Sequence, residues 1–248
     1  MTRTKAVQTM GIPGIEINGV ALSHGGTRVF DGLTLDLRED RVAVIGRNGA
    51  GKTQLARLIS GLGAPDAGTV RVHGVDVAHD RKAALSTVGI LFQNPDHQII
   101  FPTVEEELSF GLRNQGHDAA AAARSVASIL SRFGRSDWAA RPVIELSQGQ
   151  RHLVCLMAVL LMAPRVIVLD EPFAGLDMAT ALRLSRYLDA LDQQLVHITH
   201  DLDAIAGYDR AVWLDAGAVR ADGAPDQVVA AYRAEMAALG GSDAFTDL

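Results

Sequence analysis

The sequence has a single cysteine, Cys155, inside the apolar run from Leu153 to Ala163. No intrachain disulfide can form, and the thiol reads as a small core residue of a protein kept in a reducing compartment. No apolar stretch reaches the roughly 20 residues that a membrane-crossing helix needs. The same run is the longest, and His152 and Pro164 close it. Met1 to Met10 are polar and basic and lack the apolar stretch of a signal peptide. Basic residues are not in excess: 23 Lys and Arg stand against 29 Asp and Glu, a net charge of −6, which opposes the basic face that nucleic-acid binding requires. What remains is a chain of 248 residues, 48% hydrophobic and 21% charged, with the balance of a soluble globular protein of one large domain or two small ones.

One stretch organises the rest. Gly46, Arg47, Asn48, Gly49, Ala50, Gly51, Lys52 and Thr53 fit G-x-x-x-x-G-K-[ST]. The apolar run Val42 to Ile45 before it reads as a buried strand, and Gln54 to Ser60 behind it has helical spacing, closed by Gly61. Glycines let such a loop turn tightly and aim its N–H groups at phosphate oxygens, while the helix N-terminus adds partial positive charge. Lys52 is then placed for the β- and γ-phosphates of a nucleotide, and the Thr53 hydroxyl for Mg²⁺.

In the chain around this loop, 14–22 and 27–37 alternate as antiparallel strands turned at Gly25 and Gly26, and 69–77 alternates in the same way. Val88 to Phe92 reads as a buried strand running into Gln93, Asn94 and Pro95. Between Pro102 and Ile144 the pattern is helical, opened by Thr103 with Glu106 at capping-box spacing and again by Asp118 before five alanines. Ser147 and Gln150 repeat that spacing at the start of the apolar helix to Ala163. Val166 to Leu169 is a buried strand that ends in Asp170 and Glu171, and 195–199 is another that ends at His200. Residues 211–215 and 218–221 read as a closing hairpin, and Asp226 to Leu239 as a final helix. At a strand end, Asp170 suits water-mediated Mg²⁺ binding and Glu171 suits orienting or deprotonating an attacking water.

With those motifs in place, Leu146 to Gln150 resembles the signature motif of the ATP-binding cassette (ABC) ATPases, and the order of the other pieces agrees. The resemblance implies an α/β P-loop NTPase cassette with a RecA-like core, an antiparallel β subdomain and an α-helical subdomain. It divides one domain into 14–97 and 145–239 as core with β subdomain, 98–144 as helical subdomain and 240–248 as tail. By the same resemblance Gln93 is the Q-loop residue that senses the γ-phosphate and Mg²⁺, His200 the switch histidine, and Asp177 part of the D-loop. His24 stands where an adenine-stacking aromatic is usual, and Gln148 where the motif has Gly. Ser147, Gly149 and Gln150 would complete the ATP site of a second cassette, so the resemblance implies a head-to-tail dimer, homomeric or paralogous, with ATP and Mg²⁺ between the chains.

Residues 91–98 followed by 101–111 resemble energy-coupling factor (ECF) transporter ATPases, in which this segment contacts a transmembrane coupling subunit. The resemblance implies a peripheral protein on the cytoplasmic face of the membrane, working with a coupling subunit and a separate solute-binding membrane subunit and with no nucleic acid. The end of the chain at Leu248, without an extended C-terminal regulatory domain, favours biotin as solute over cobalt or nickel. The rival of another class is a soluble ABC ATPase acting on ribosomes or DNA, which usually carries fused cassettes, coiled coils or basic arms.

Overall fold

The computed structural model describes residues 14–240. The expectations for Met1 to Met10 and for the tail beyond Gly240 lie outside that range.

An antiparallel hairpin, β1 (Ile15–His24) and β2 (Thr27–Leu37), opens the chain. The short β3 (Arg41–Ile45) leads through the glycine-rich loop into α1 (Lys52–Ile59). The expected strand over 69–77 is instead two strands, β4 (Ala67–Val72) and β5 (Val75–Asp76). Between them His73 and Gly74 both have positive φ, 48° and 83°. Two successive left-handed residues make the tight turn that matches strand twist, and alternation running straight through it hid the break. Next come α2 (Arg81–Thr87), capped by Asp80, and β6 (Val88–Leu91). The helical stretch holds α3 (Val104–Asn114) and α4 (Ala119–Arg132), each capped by the residue anticipated, Thr103 and Asp118. After α5 (Gln148–Leu161) and β7 (Val166–Asp170), α6 (Met178–Asp189) had no counterpart in the sequence reading. The chain closes with β8 (Gln194–Ile198), β9 (Arg210–Asp215), β10 (Ala218–Gly223) and α7 (Pro225–Gly240).

The strands form two sheets, of order β2-β1-β4-β5 and β10-β9-β3-β8-β7-β6. The first is antiparallel, and its alternation buries Ile15, Ile17, Leu35, Leu37, Val70 and Val72 on one face. In the second, β9, β3, β8, β7 and β6 run parallel, with β10 antiparallel at the edge. Every residue of β7 and β8 is buried, the near-continuous apolar run of strands covered on both faces. One core joins the inner faces of the two sheets through Leu55 and Ile59 of α1. A second packs α3, α4 and α5 on β6 and β7, and a third seats Val228 of α7 against Ile45 and Trp213.

The four neighbours β3, β8, β7 and β6 bring their carboxyl ends to one side of the sheet. A ligand crevice is expected there in an open parallel α/β sheet. Among the described residues no helix is long and apolar enough to cross a membrane.

Candidate active site

Those four strand ends surround one cavity of about 710 Å³. Asn48, Gly49, Gly51, Lys52 and Thr53 line it from the loop after β3, Gln93 from the loop after β6, Asp170 and Glu171 from the end of β7, and His200 from the end of β8. Val29 and Gln54, which carry no motif signal, line it too.

The loop conformation requires glycine where the backbone turns most tightly. Gly51 sits at φ 99°, and a Cβ there would lie 2.8 Å from the Phe30 ring, so both the backbone and the space demand glycine. Lys52 opens α1 with its side chain turned back along the loop, where Nζ donates to the carbonyl oxygens of Gly46 (2.7 Å) and Arg47 (3.0 Å). Burial pushes its ammonium below the usual range against the opposing pull of Glu171 and Asp170. A buried cation at a helix start gives this side of the cavity the sign that phosphate requires. Gly46 and Ala50 shape the loop from behind and do not line the cavity.

Opposite lie the carboxylates. Burial raises the pKa of Asp170 and the nearby Glu171 charge adds to this, while a hydrogen bond from the Thr53 hydroxyl and the Lys52 charge oppose it. Two hard oxygen donors, Thr53 and Asp170, thus stand together in the cavity lining, as a Mg²⁺ site with few protein ligands needs. Glu171 stands at φ 52°, a left-handed backbone that costs a non-glycine residue on the order of 1 kcal/mol or more. Its N–H donates to Ile198 O at 2.9 Å, tying the end of β7 to β8. Its carboxylate Oε2 lies 2.8 Å from His200 Nδ1, so the two residues meet across neighbouring strand ends.

The family model described as ABC transporter matches residues 30–174, from β2 past Glu171. The chain belongs to that family. As an ABC-type ATPase it is similar over most of its length to curated members. The biotin transport ATP-binding protein BioM of Rhodobacter capsulatus is 51% identical over 91% of this chain and 96% of that protein. BioM of Rhizobium etli is 38% identical over 90% of this chain and 99% of that protein. Among solved structures, CbiO1 of Clostridium perfringens, part of the ABC transporter complex CbiONQ, superposes with a TM-score of 0.76 at 27% identity, covering 90% of this chain and 93% of that one.

The remaining ABC motifs lie elsewhere. Ser147, Gly149 and Gln150 line a separate cavity of about 180 Å³ at the start of α5. The capping box there is complete: Ser147 N–H donates to Gln150 Oε1 at 2.9 Å, and Gln150 N–H to Ser147 Oγ at 3.3 Å. The Ser147 N–H is therefore held by the Gln150 side chain within the chain itself. Asp177 does not line the catalytic cavity either; it caps α6, accepting from Thr180 N–H at 2.9 Å and from its hydroxyl at 2.7 Å. His24 is exposed at the end of β1 and is not among the cavity-lining residues. Sequence reasoning passed over His152, which is fully buried with Nε2 3.1 Å from Gln93 O. At the edge of the apolar run, its position gave no local signal of that contact.

Proposed function

We propose that the chain is the ATP-hydrolysing subunit of an ECF-type importer, with biotin as the transported solute. Lys52, Asp170, Glu171, His200 and Gln93 around one cavity carry the ATPase part of this reading. The identity of 51% to BioM over almost the whole chain supports the transport part. The whole chain acts as one cassette with the subdomain bounds given above.

The loop N–H groups and Lys52 bind the β- and γ-phosphates of ATP. Thr53 and Asp170, with Gln93 beside them, hold Mg²⁺, which when bound neutralises phosphate charge. Glu171 accepts a proton from the water that attacks the γ-phosphorus. The bond from that phosphorus to the β–γ bridging oxygen breaks, and ADP and phosphate leave. His200, held by Glu171, turns toward the γ-phosphate oxygens. Ser147 Oγ and the Gly149 N–H serve the nucleotide of a second cassette packed head to tail.

The partner at the membrane fits a groove of about 910 Å³ beside this site, between α2, α3 and α5. Leu85, Ile100 and Phe110 line it, and all three are exposed, at 57%, 66% and 40%. Gln98, five residues beyond Gln93 on the same loop, also lines it. A transmembrane coupling subunit seated there would hold the cassette on the cytoplasmic face of the membrane, and displacement of one loop would link the two sites.

The test is a mild-detergent pull-down of the tagged chain from its native membranes, with biotin, cobalt and nickel binding assayed on the eluate. Recovery of a coupling subunit and a biotin-binding membrane protein is expected. Bound cobalt or nickel would replace the solute, and recovery of ribosomal or DNA-bound partners would overturn transport.

A further inference from the structure

The first two turns of α5 touch two loops, the one carrying Gln93, which lines the catalytic cavity, and the one at Gly175, which follows Glu171. On one side, His152 is fully buried, with Nε2 3.1 Å from Gln93 O and Nδ1 3.2 Å from Gln148 O. Arg151 Nε lies 3.0 Å from Asp96 Oδ1, and Cys155 Sγ reaches Pro95 O at 4.0 Å. Three residues within five positions therefore stitch the helix to residues 93–96. On the other side, the Gln148 amide rests on Gly175, where a Cβ would lie 2.8 Å from Gln148 Nε2. Gly175 also has φ 73°. Gly149 in turn packs on Thr180 of α6, where an added Cβ would come within 2.5 Å of Cγ2.

We infer that the start of α5 is an intrachain clamp, with His152 and Gln148 as positioning residues that make the Gln93 loop and the Gly175 loop move with α5 as one body. The bond from His152 to Gln93 crosses 59 sequence positions and fixes the backbone from which the Gln93 side chain enters the cavity. Gln148 departs from the glycine of the ABC signature, and its side chain occupies the space over Gly175. A glycine at 148 would remove the side-chain contact with Gly175. Neither residue lines the catalytic cavity, so their effect reaches the reaction through Gln93, which does, and through the loop that follows Glu171 in the chain. The clamp serves turnover rather than nucleotide capture, since Lys52 and the loop after β3 lie on other elements. This inference rests on the ATPase assignment above.

The test measures ATP hydrolysis by the full-length chain in its membrane complex. With His152→Leu, which keeps bulk but has no donor, kcat should fall about tenfold, the scale of a small misplacement of a reacting group. KM for ATP should stay within about twofold, because uniform binding is left intact. His152→Gln places an amide N–H at a reach similar to imidazole Nε2 and should recover kcat to within about threefold of the wild type. A merely structural role would make Leu the better replacement in an apolar helix, so the opposite order, or an unchanged kcat in His152→Leu, overturns the clamp. If His152→Leu does not fold, Gln148→Ala carries the test: a fall in kcat at constant KM is expected, and wild-type kcat overturns the inference. A wild-type complex that binds ATP but releases no phosphate removes the functional reading itself, and the clamp with it.

Discussion

At the scale of single residues, Glu171 and His197 have opposite fates. Glu171 lines the cavity and bonds His200, so Glu171→Gln keeps a side chain of the same shape that can still meet His200 but cannot accept a proton. ATP binding should persist while turnover falls by about 10²–10⁴-fold, the range for loss of a positioned base. Phosphate release and nucleotide binding measured on the same sample check this, and equal turnover would remove Glu171 from the role. His197, three residues before His200, is fully buried with Nδ1 2.9 Å from the Tyr208 hydroxyl and its ring edge-on to Phe173. Burial depresses its pKa to about 4. The unfolded chain, where histidine titrates near 6.5, therefore binds more protons between those two values, and stability falls as pH drops through that window. A shift of this size corresponds to about 3 kcal/mol at full effect. Thermal melts between pH 7.5 and 4.5 should show a decline that is shallower in His197→Leu, although that variant starts lower because Tyr208 loses its partner. Parallel curves would refute the assignment.

At the scale of elements, the N-caps account for much of the helical order. Asp118 Oδ1 accepts from Ala121 N–H at 2.7 Å to start α4, and neither residue lines the catalytic cavity. Asp118→Ala should cost about 1 kcal/mol in a urea melt and leave KM for ATP unchanged. A change in KM would mean that α4 reaches the nucleotide directly. These caps were also what sequence made legible: Thr103, Asp118 and Ser147 each stand at a helix start, and the apolar runs before Gly46 and Asp170 are the strands expected. The misses have physical causes. Alternation continued through the His73 and Gly74 turn because both flanks bury the same face. The seven-residue α2 is too short to show a helical period, and Asp177, read for chemistry, masked its own role as the cap of α6. His24 lies away from the catalytic cavity, and His152 lies against Gln93, because of tertiary packing that no local pattern encodes. The loop after β3, by contrast, carried its function in its own spacing.

At the scale of the whole molecule, the cavity and the apolar groove share one loop. Gln93 and Gln98 stand at either end of a short segment whose middle, Pro95 to His97, is a single 3₁₀ turn capped by Asn94. The next residues are held from α3, where buried Glu107 accepts the N–H groups of both Ile100 (2.9 Å) and Phe101 (3.0 Å) through Oε2. That bond fixes the backbone and leaves the Ile100 side chain outside, where exposure of a large apolar group gains nothing for the isolated chain. Phe110, its ring tilted by 47° against Phe101 at 5.1 Å between centroids, extends the same apolar surface. Burying such side chains against a partner contributes about 1.5–3 kcal/mol each, enough for two of them to govern association. The double substitution Ile100→Asp with Phe110→Asp places charge on that surface without touching Glu107 or the caps of α3. The isolated variant should bind ATP and melt as the wild type does, yet the membrane subunits should vanish from its pull-down. Full recovery of those subunits would place the docking surface elsewhere on the cassette, whereas loss of ATP binding would mean that the groove and the nucleotide cavity are one site.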